Sequence, residues 1–382
     1  MDTPEKERQG RLKELAVLFL RLGATAFGGP AAQIAIMHDE TVRRKKWLDD
    51  KSFLDLIGAV NLIPGPNSTE VAIHVGYLRA GWRGLVTAGA CFIIPAAVIV
   101  TALTWVYVRY GSTPEGDHIF YGIKPVIIAV ILQAVYFLGH KAVREPVTIL
   151  TGIAVAAAYL FGVNEIALLF GGGLFVMLWK NVGRLRGGNI AAFILPLAGI
   201  DTAAAEAKGA TLASIFLVFL KIGSVLYGSG YVLLAFLNSD FVEHRGWLTH
   251  QQLLDVVAIG QVTPGPWFTT ATAIGYLLGG VPGAALATLG IFLPSFIFVA
   301  VSNPIIPKLR RSAWAGAALD GVNASSLGLM AGVTVDLARA SFSDPLTILI
   351  GAAAAGALFF LRVNPTWLML AGGIIGLLKG MM

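Results

Sequence analysis

Apolar residues run along the chain in long blocks, with polar and basic residues collected between them. Leu85 to Val108, Ile119 to Leu138 and Ala284 to Val301 are nearly unbroken apolar stretches, close to the roughly 20 residues a helix needs to cross a hydrocarbon core. The alternating apolar and polar decads of a membrane barrel are missing from the sequence. The pattern therefore predicts an all-α integral membrane protein with roughly 10–13 membrane segments, some of them broken or re-entrant.

The blocks repeat at an offset of 200. Phe19, Arg21, Gly23, Phe27 and Gly28 match Phe219, Lys221, Gly223, Tyr227 and Gly228, and Trp47-Leu48 and Asp55 match Trp247-Leu248 and Asp255. Asn61, Pro64-Gly65-Pro66 and Thr69 match Gln261, Pro264-Gly265-Pro266 and Thr269. One residue is then lost, so Gly76-Tyr77 meets Gly275-Tyr276, Pro95 meets Pro294 and Pro146 meets Pro345, before Val163-Asn164 regains the offset at Val363-Asn364. Matched marks in one register indicate a tandem repeat. The division expected is a first copy at 1–187, a linker or crossing helix at 188–206 and a second copy at 207–382.

Basic residues differ systematically between equivalent loops. His38 to Ser52 carries Arg43, Arg44, Lys45, Lys46 and Lys51, whereas Asn238 to Gln252 has only Arg245. Arg79 and Arg83 lack counterparts in Leu278 to Gly283. The bias reverses where Arg109 stands alone against Lys308, Arg310 and Arg311, and again at Lys141 and Arg144 against Arg339. Basic loops stay in the cytoplasm, so the two copies are expected to face opposite ways.

That assignment closes only if Phe53 to Leu78 enters and leaves on one side. Its centre is Pro64-Gly65-Pro66, and prolines flanking a glycine break a helix, because proline lacks the amide hydrogen and clashes with the preceding turn. Two half-helices meeting near mid-membrane are expected here and at Pro264-Gly265-Pro266. The segment Leu12 to Met37, interrupted at Gly28-Gly29-Pro30, has the makings of a similar fold.

Irregular backbone at membrane depth survives only inside protein or along a cavity, so the breaks are the candidate site. A helix starting after such a break offers unpaired amides and a partial positive charge, which suit a tetrahedral oxyanion. Those amides belong to Asn67, Ser68, Thr69 and Glu70 in the first copy and to Trp267, Phe268, Thr269 and Thr270 in the second. Arg21 and Lys221 occupy equivalent places in apolar helices, where a charge needs a partner. A dianion drawing basic residues from both copies supplies one; an ion pair with Asp55, Asp255 or Glu70, or a side chain reaching for headgroups, is the alternative. Asn61 and Gln261, three residues before each break, either donate amide hydrogens to the anion or pack helices together. Glu70 has Thr270 as its counterpart, with His74 one turn further along. Loss of water favours a neutral carboxyl, which makes Glu70 and His74 the candidates for proton coupling; a salt bridge to Arg21 is the other use of Glu70.

Composition narrows the classes. Hydrophobic residues make up 56%, charged residues 13% and the mean hydropathy is +0.74, against about a quarter charged in soluble domains. The net charge of +6 lies in inter-span loops, so no nucleic-acid partner is expected. With Cys91 as the single cysteine, disulfides within the chain and thiolate metal clusters are ruled out. The histidines lack ligand spacing, so neither metal nor cofactor is expected. Glu5, Lys6, Glu7, Arg8, Arg11 and Lys13 precede the first span without a small-residue cleavage site, unlike a removable signal peptide. Nucleotide-binding glycine motifs do not occur, so transport would be secondary. A clustered nucleophile and base, which an enzyme would need, is not visible.

Phe27-Gly28-Gly29-Pro30, the basic run ending at Trp47-Leu48, and Asn61-x-x-Pro64-Gly65-Pro66-Asn67 resemble the chromate ion transporter family. The likeness extends over both copies and is to the long-chain, two-domain type. It implies chromate efflux across the bacterial inner membrane and chromate resistance, with sulfate as a similar anion. The second copy departs at Gly228-Ser229-Gly230 and at Trp267, which stands where the first has Asn67. Two other readings stay open: a sulfate or other anion importer or channel, and a membrane scaffold or enzyme built on a structural repeat. Oligomeric state is likewise open, a homodimer being one form.

Overall fold

In a computed structural model of the chain, the described residues are 4–111, 113–142, 145–185, 209–227, 230–302, 312–361 and 363–381. The expected linker 188–206, Gly228, Ser229, Arg144, Lys308, Arg310 and Arg311, and the side chains of Glu5, Lys6, Glu7 and Lys141, lie outside the described residues.

Every regular element among the described residues is helical. The first half contains α1 (Pro4–Thr25), α2 (Gly29–His38), α3 (Asp50–Val60), α4 (Asn67–Tyr110), α5 (Pro114–Ala142), α6 (Pro146–Leu160) and α7 (Glu165–Leu185). The second contains α8 (Leu212–Val225), α9 (Leu233–Leu237), α10 (His250–Val262), α11 (Thr270–Ser302), α12 (Ala313–Ser341), α13 (Pro345–Gly356) and α14 (Pro365–Gly380). The seven elements of one half match those of the other in order. Wide π turns follow both α2 and α9, at Asp39–Arg44 and Asn238–His244.

The repeat extends to the helix starts. Asp49 caps α3 by accepting from the Ser52 amide at 2.6 Å, and Thr249 caps α10 by accepting from Gln252 at 3.1 Å. Asn164 and Asn364 likewise cap α7 and α14, accepting from Ile166 and Thr366. Each cap satisfies amides that lack a partner within the helix, for about 1 kcal/mol apiece.

Helix α4 is broken at Ala80 and Gly81, and α11 at Gly279 and Gly280, the second residue of each pair taking a positive φ of 63° or 59°. The chain reverses there. A Cβ on Gly76 would collide with the Gly84 carbonyl and one on Gly275 with the Gly283 carbonyl, so glycine permits the backbones to touch. Helix α3, the proline break and Asn67 to Arg79 thus form a re-entrant segment, as the loop charges require. Beyond the reversal, the apolar remainder of α4 runs about 43 Å, more than a bilayer core.

Helices within α4, α5, α7 and α11 are long and apolar enough to cross a membrane, while α6, α8, α13 and α14 are shorter and apolar. Val98, Leu150, Trp179, Leu349 and Trp367 are more than half exposed on the outer surface, an apolar face suited to lipid.

The halves interlock. Helices α6 and α7 pack on α12, α13 and α14 pack on α5, and α4 and α11 meet between them. Gly152 of α6 lies on Ala324 of α12, while Gly351 of α13 lies on Pro125 of α5, the same contact with the copies exchanged. Along α6 and α12, Gly152 meets Ala324, Ala156 meets Gly328 and Tyr159 meets Gly332, so these helices run parallel. Only residues 143–145 separate α5 from α6, which places the two in opposite directions across a bilayer. The equivalent helices α5 and α12 therefore run oppositely, in agreement with the inversion read from loop charge.

Candidate functional site

Each proline break is closed by backbone of the other half. Gly65 donates its amide to the Leu226 carbonyl at 2.8 Å, and Gly265 donates to the Ala26 carbonyl at 3.0 Å. Both glycines adopt positive φ, 138° and 88°. The space beside Gly65 is filled by the Glu70 carboxyl and the Ser295 hydroxyl of α11; beside Gly265 lie Ala96 of α4 and the Gly23 carbonyl. Two residues after Ala26, Gly28 is the N-cap of α2 and Gly29 its first residue. Gln33 of α2 donates its side-chain amide to the Gly265 carbonyl.

Several buried polar atoms in the two broken segments and the residues packed on them lack a hydrogen-bond partner. They comprise Gln33 Oε1, Thr69 Oγ1, both Glu70 carboxyl oxygens, His74 Nε2, Gln261 Nε2, Trp267 Nε1 and Ser295 Oγ. Native interiors leave few such groups, each of which calls for a water, an ion or a ligand. Glu70 is fully buried with its carboxyl alongside Ser295, so the expected alternative of a Glu70–Arg21 salt bridge does not form. His74 Nδ1 bonds the Glu70 carbonyl at 3.1 Å rather than its carboxyl.

The half-helix starts differ between copies. After Pro66, α4 begins directly at Asn67, whose side-chain amide donates to Asn61 Oδ1 at 3.0 Å. After Pro266 the chain makes one 3₁₀ turn, Trp267–Thr269, before α11. There Thr269 and Thr270 donate their hydroxyls to the Pro266 and Trp267 carbonyls at 2.7 and 2.9 Å. The Tyr231 ring packs against Trp267 with centroids 4.9 Å apart. Pro64, Gly65, Pro66, Ser68 and Thr69 are buried in the first break, and Pro264, Gly265, Pro266, Thr269 and Thr270 in the second.

Arg21 and Lys221 are both paired, although not with the carboxylates expected. Arg21 bonds Glu40 at 2.7 Å, and Lys221 bonds Asp240. The expected partner Asp255 is held instead by Lys124 of α5 at 3.0 Å and by the Tyr107 hydroxyl at 2.8 Å. The π turn after α2 or α9 brings the carboxylate back over the last turns of α1 or α8. Sequence reasoning passed over Glu40 and Asp240 because each sits in a polar stretch that reads as loop; their spacing of 200, acid for acid, was the available signal. Ser295, Tyr227 and Gln33 carried no such mark, since each meets a break in the opposite half.

A model of the chromate transporter family matches residues 13–177 and 213–377, one copy of the repeat each. The chromate transport protein of Cupriavidus metallidurans is 32% identical over 371 residues, covering 96% of this chain and 92% of that protein. The chromate transport protein of Pseudomonas aeruginosa is 32% identical, covering 95% and 91%. The uncharacterized transporter YwrA of Bacillus subtilis is 26% identical across 93% of its own length but only 42% of this chain, the span of a single repeat. No solved structure matches the chain. With both halves matched and relatives aligned end to end, the chain belongs to the chromate transporter family, as a multi-pass membrane protein of two inverted copies.

Proposed function

We infer that the protein is a secondary transporter that exports chromate from the cytoplasm of a bacterium across its inner membrane, and thereby confers chromate resistance. One observation carries the reading. Each Pro-Gly-Pro break is closed by backbone of the opposed copy, and buried donors without a partner, Thr69 Oγ1, Gln261 Nε2 and Trp267 Nε1, lie beside the two half-helix starts. Helix starts stabilise anions, and Gln261, Trp267 and Thr69 are neutral donors that can replace an oxyanion's hydration shell.

In this reading Asn61, Pro64, Gly65, Pro66, Asn67, Ser68 and Thr69 form one wall of the site, and Gln261, Pro264, Gly265, Pro266, Thr269 and Thr270 the other. Gly28 and Gly29 let the backbone approach, and Arg21 and Lys221 draw the dianion in from either side. Glu70, buried beside Gly65 of the first break, carries the coupled proton, with His74 one turn away. Residues 1–187 and 207–382 are the two opposed copies that build the site together, joined through 188–206.

The test is uptake of labelled chromate and labelled sulfate into inverted membrane vesicles under imposed pH gradients. Chromate accumulation that follows the gradient supports export coupled to protons. If neither anion moves, the reading fails. Sulfate uptake into right-side-out vesicles in preference to chromate would favour an importer instead, since a tetrahedral dianion site serves both.

A further inference from the structure

The two ion pairs that flank the breaks are equivalent in sequence and unequal in exposure. In the first half, the Glu40 carboxylate, 8% exposed, receives Arg21 at 2.7 Å and Arg44 at 2.9 Å, while those cations are 52% and 65% exposed. They line a cavity of about 480 Å³ together with Thr25 and Asp39. Asp39, 40% exposed, pairs with Arg44 from the outer side at 2.9 Å. In the second half, Asp240 is 4% exposed and receives Lys221 and Arg245, each 14% exposed.

The inequality has a structural source. Helices α6 and α7 of the first half fold over the second half's π turn, where Tyr159 accepts a hydrogen bond from Asn238 at 3.0 Å and Glu165 accepts one from Ser239 at 2.7 Å. Their sequence equivalents in the second half are Leu358 and Pro365, which offer no polar side chain to the first half's π turn. One vestibule is thereby sealed and the other open. By the loop charges, the open one faces the cytoplasm and the sealed one faces away from it.

We propose that Glu40 and Asp240 are resident counter-ions at two face-specific anion stations. Each carboxylate holds a pair of basic side chains together when its station is empty, and the transported dianion displaces it to bind Arg21 with Arg44 on one face, or Lys221 with Arg245 on the other. The proposal rests on the transport reading above and extends it to residues outside the Pro-Gly-Pro crossing. The chemistry is exchange of like for like: two cationic donors bound by one carboxylate become two cationic donors bound by an oxyanion, which accepts their hydrogen bonds with greater charge. At the open station the displaced Glu40 carboxylate turns into the water of the cavity that it lines, so neither it nor the cations are left bare in low dielectric, the state that would oppose the exchange.

Removing the competitor should tighten anion binding on one face alone. Glu40→Gln is predicted to lower the half-saturating chromate concentration about fivefold in inverted vesicles, the upper end for a partly exposed pair, and to leave it unchanged in right-side-out vesicles. Arg21 and Arg44 are half in water, so this variant keeps its fold. Should turnover be lost, labelled sulfate binding to the purified variant replaces the flux assay, with tighter binding than wild type supporting the proposal and equal or weaker binding overturning it. A fall at both faces, or at neither, also overturns it. Wild-type vesicles that move neither chromate nor sulfate would instead refute transport itself, so the two failures are separable.

Discussion

Gly65 donates its backbone amide to Leu226 of the other half at 2.8 Å, and with the copies exchanged Gly265 donates to Ala26 at 3.0 Å. Each break thus borrows an acceptor from the broken segment of the opposite copy, and neither re-entrant segment satisfies its own backbone inside a membrane. The arrangement makes the crossing a joint product of both halves. It also explains why glycine stands at the centre of each break. A side chain at either position would adopt an unfavourable positive φ and would also strike the opposite half.

Gly65→Ala is expected to reduce chromate flux at least tenfold while the protein still inserts, because the added methyl displaces the Glu70 carboxyl and Ser295 hydroxyl. Gly265→Ala meets Ala96 and the Gly23 carbonyl instead. Rigid backbone yields less readily than a side chain, so this variant should lose more stability, with strain of about 1–2 kcal/mol from the dihedral alone. Thermal unfolding in detergent beside vesicle flux separates the two outcomes.

Much of this was legible in the sequence, and the part that was not has a common cause. Pro-Gly-Pro marks, apolar blocks and basic loops are local signals: a proline breaks its own helix whatever lies nearby. The pairing of Arg21 with Glu40 is a contact made by a π turn, and sequence periodicity does not register one extra residue in a turn. Ser295 and Tyr227 reach the first break from the second half, so no pattern near the break points to them.

Arg21→Ala and Lys221→Ala should each cut chromate flux sharply without abolishing insertion. Glu40 keeps Arg44 and Asp240 keeps Arg245 when the first partner is removed, so neither carboxylate is stranded. Wild-type flux in both variants would remove these residues from the anion's path.

Glu70→Gln preserves shape and hydrogen-bonding capacity but cannot take up or release a proton. Chromate binding should persist while the dependence of flux on the imposed pH gradient disappears. Unchanged coupling in vesicles would assign the proton to another group.

Lys124→Ala should destabilise the protein by about 3–5 kcal/mol, the usual result of stripping one partner from a buried ion pair. Lys124 belongs to α5, Tyr107 to α4 and Asp255 to α10, so this pair fastens the halves to each other at a distance from the breaks. Tyr107→Phe removes one hydrogen bond from the same carboxylate and should lose only about 1–2 kcal/mol. Comparable losses in the two variants would mean that Lys124 is solvated rather than locked in place.

Opposed topology has a direct test in two equivalent exposed positions. Arg43 and Glu243 lie in the π turns after α2 and α9, and in a Cys91→Ser background each can be replaced by cysteine as the sole thiol. A membrane-impermeant maleimide added to intact cells should label Glu243→Cys, and Arg43→Cys only after permeabilisation. Inversion follows physically from the loop charges together with the parallel run of α6 beside α12, which forces α5 and α12 apart in direction. Labelling of both positions from the same face would contradict both lines at once, and would leave two helix starts pointing from one side of the membrane instead of converging on an anion from two.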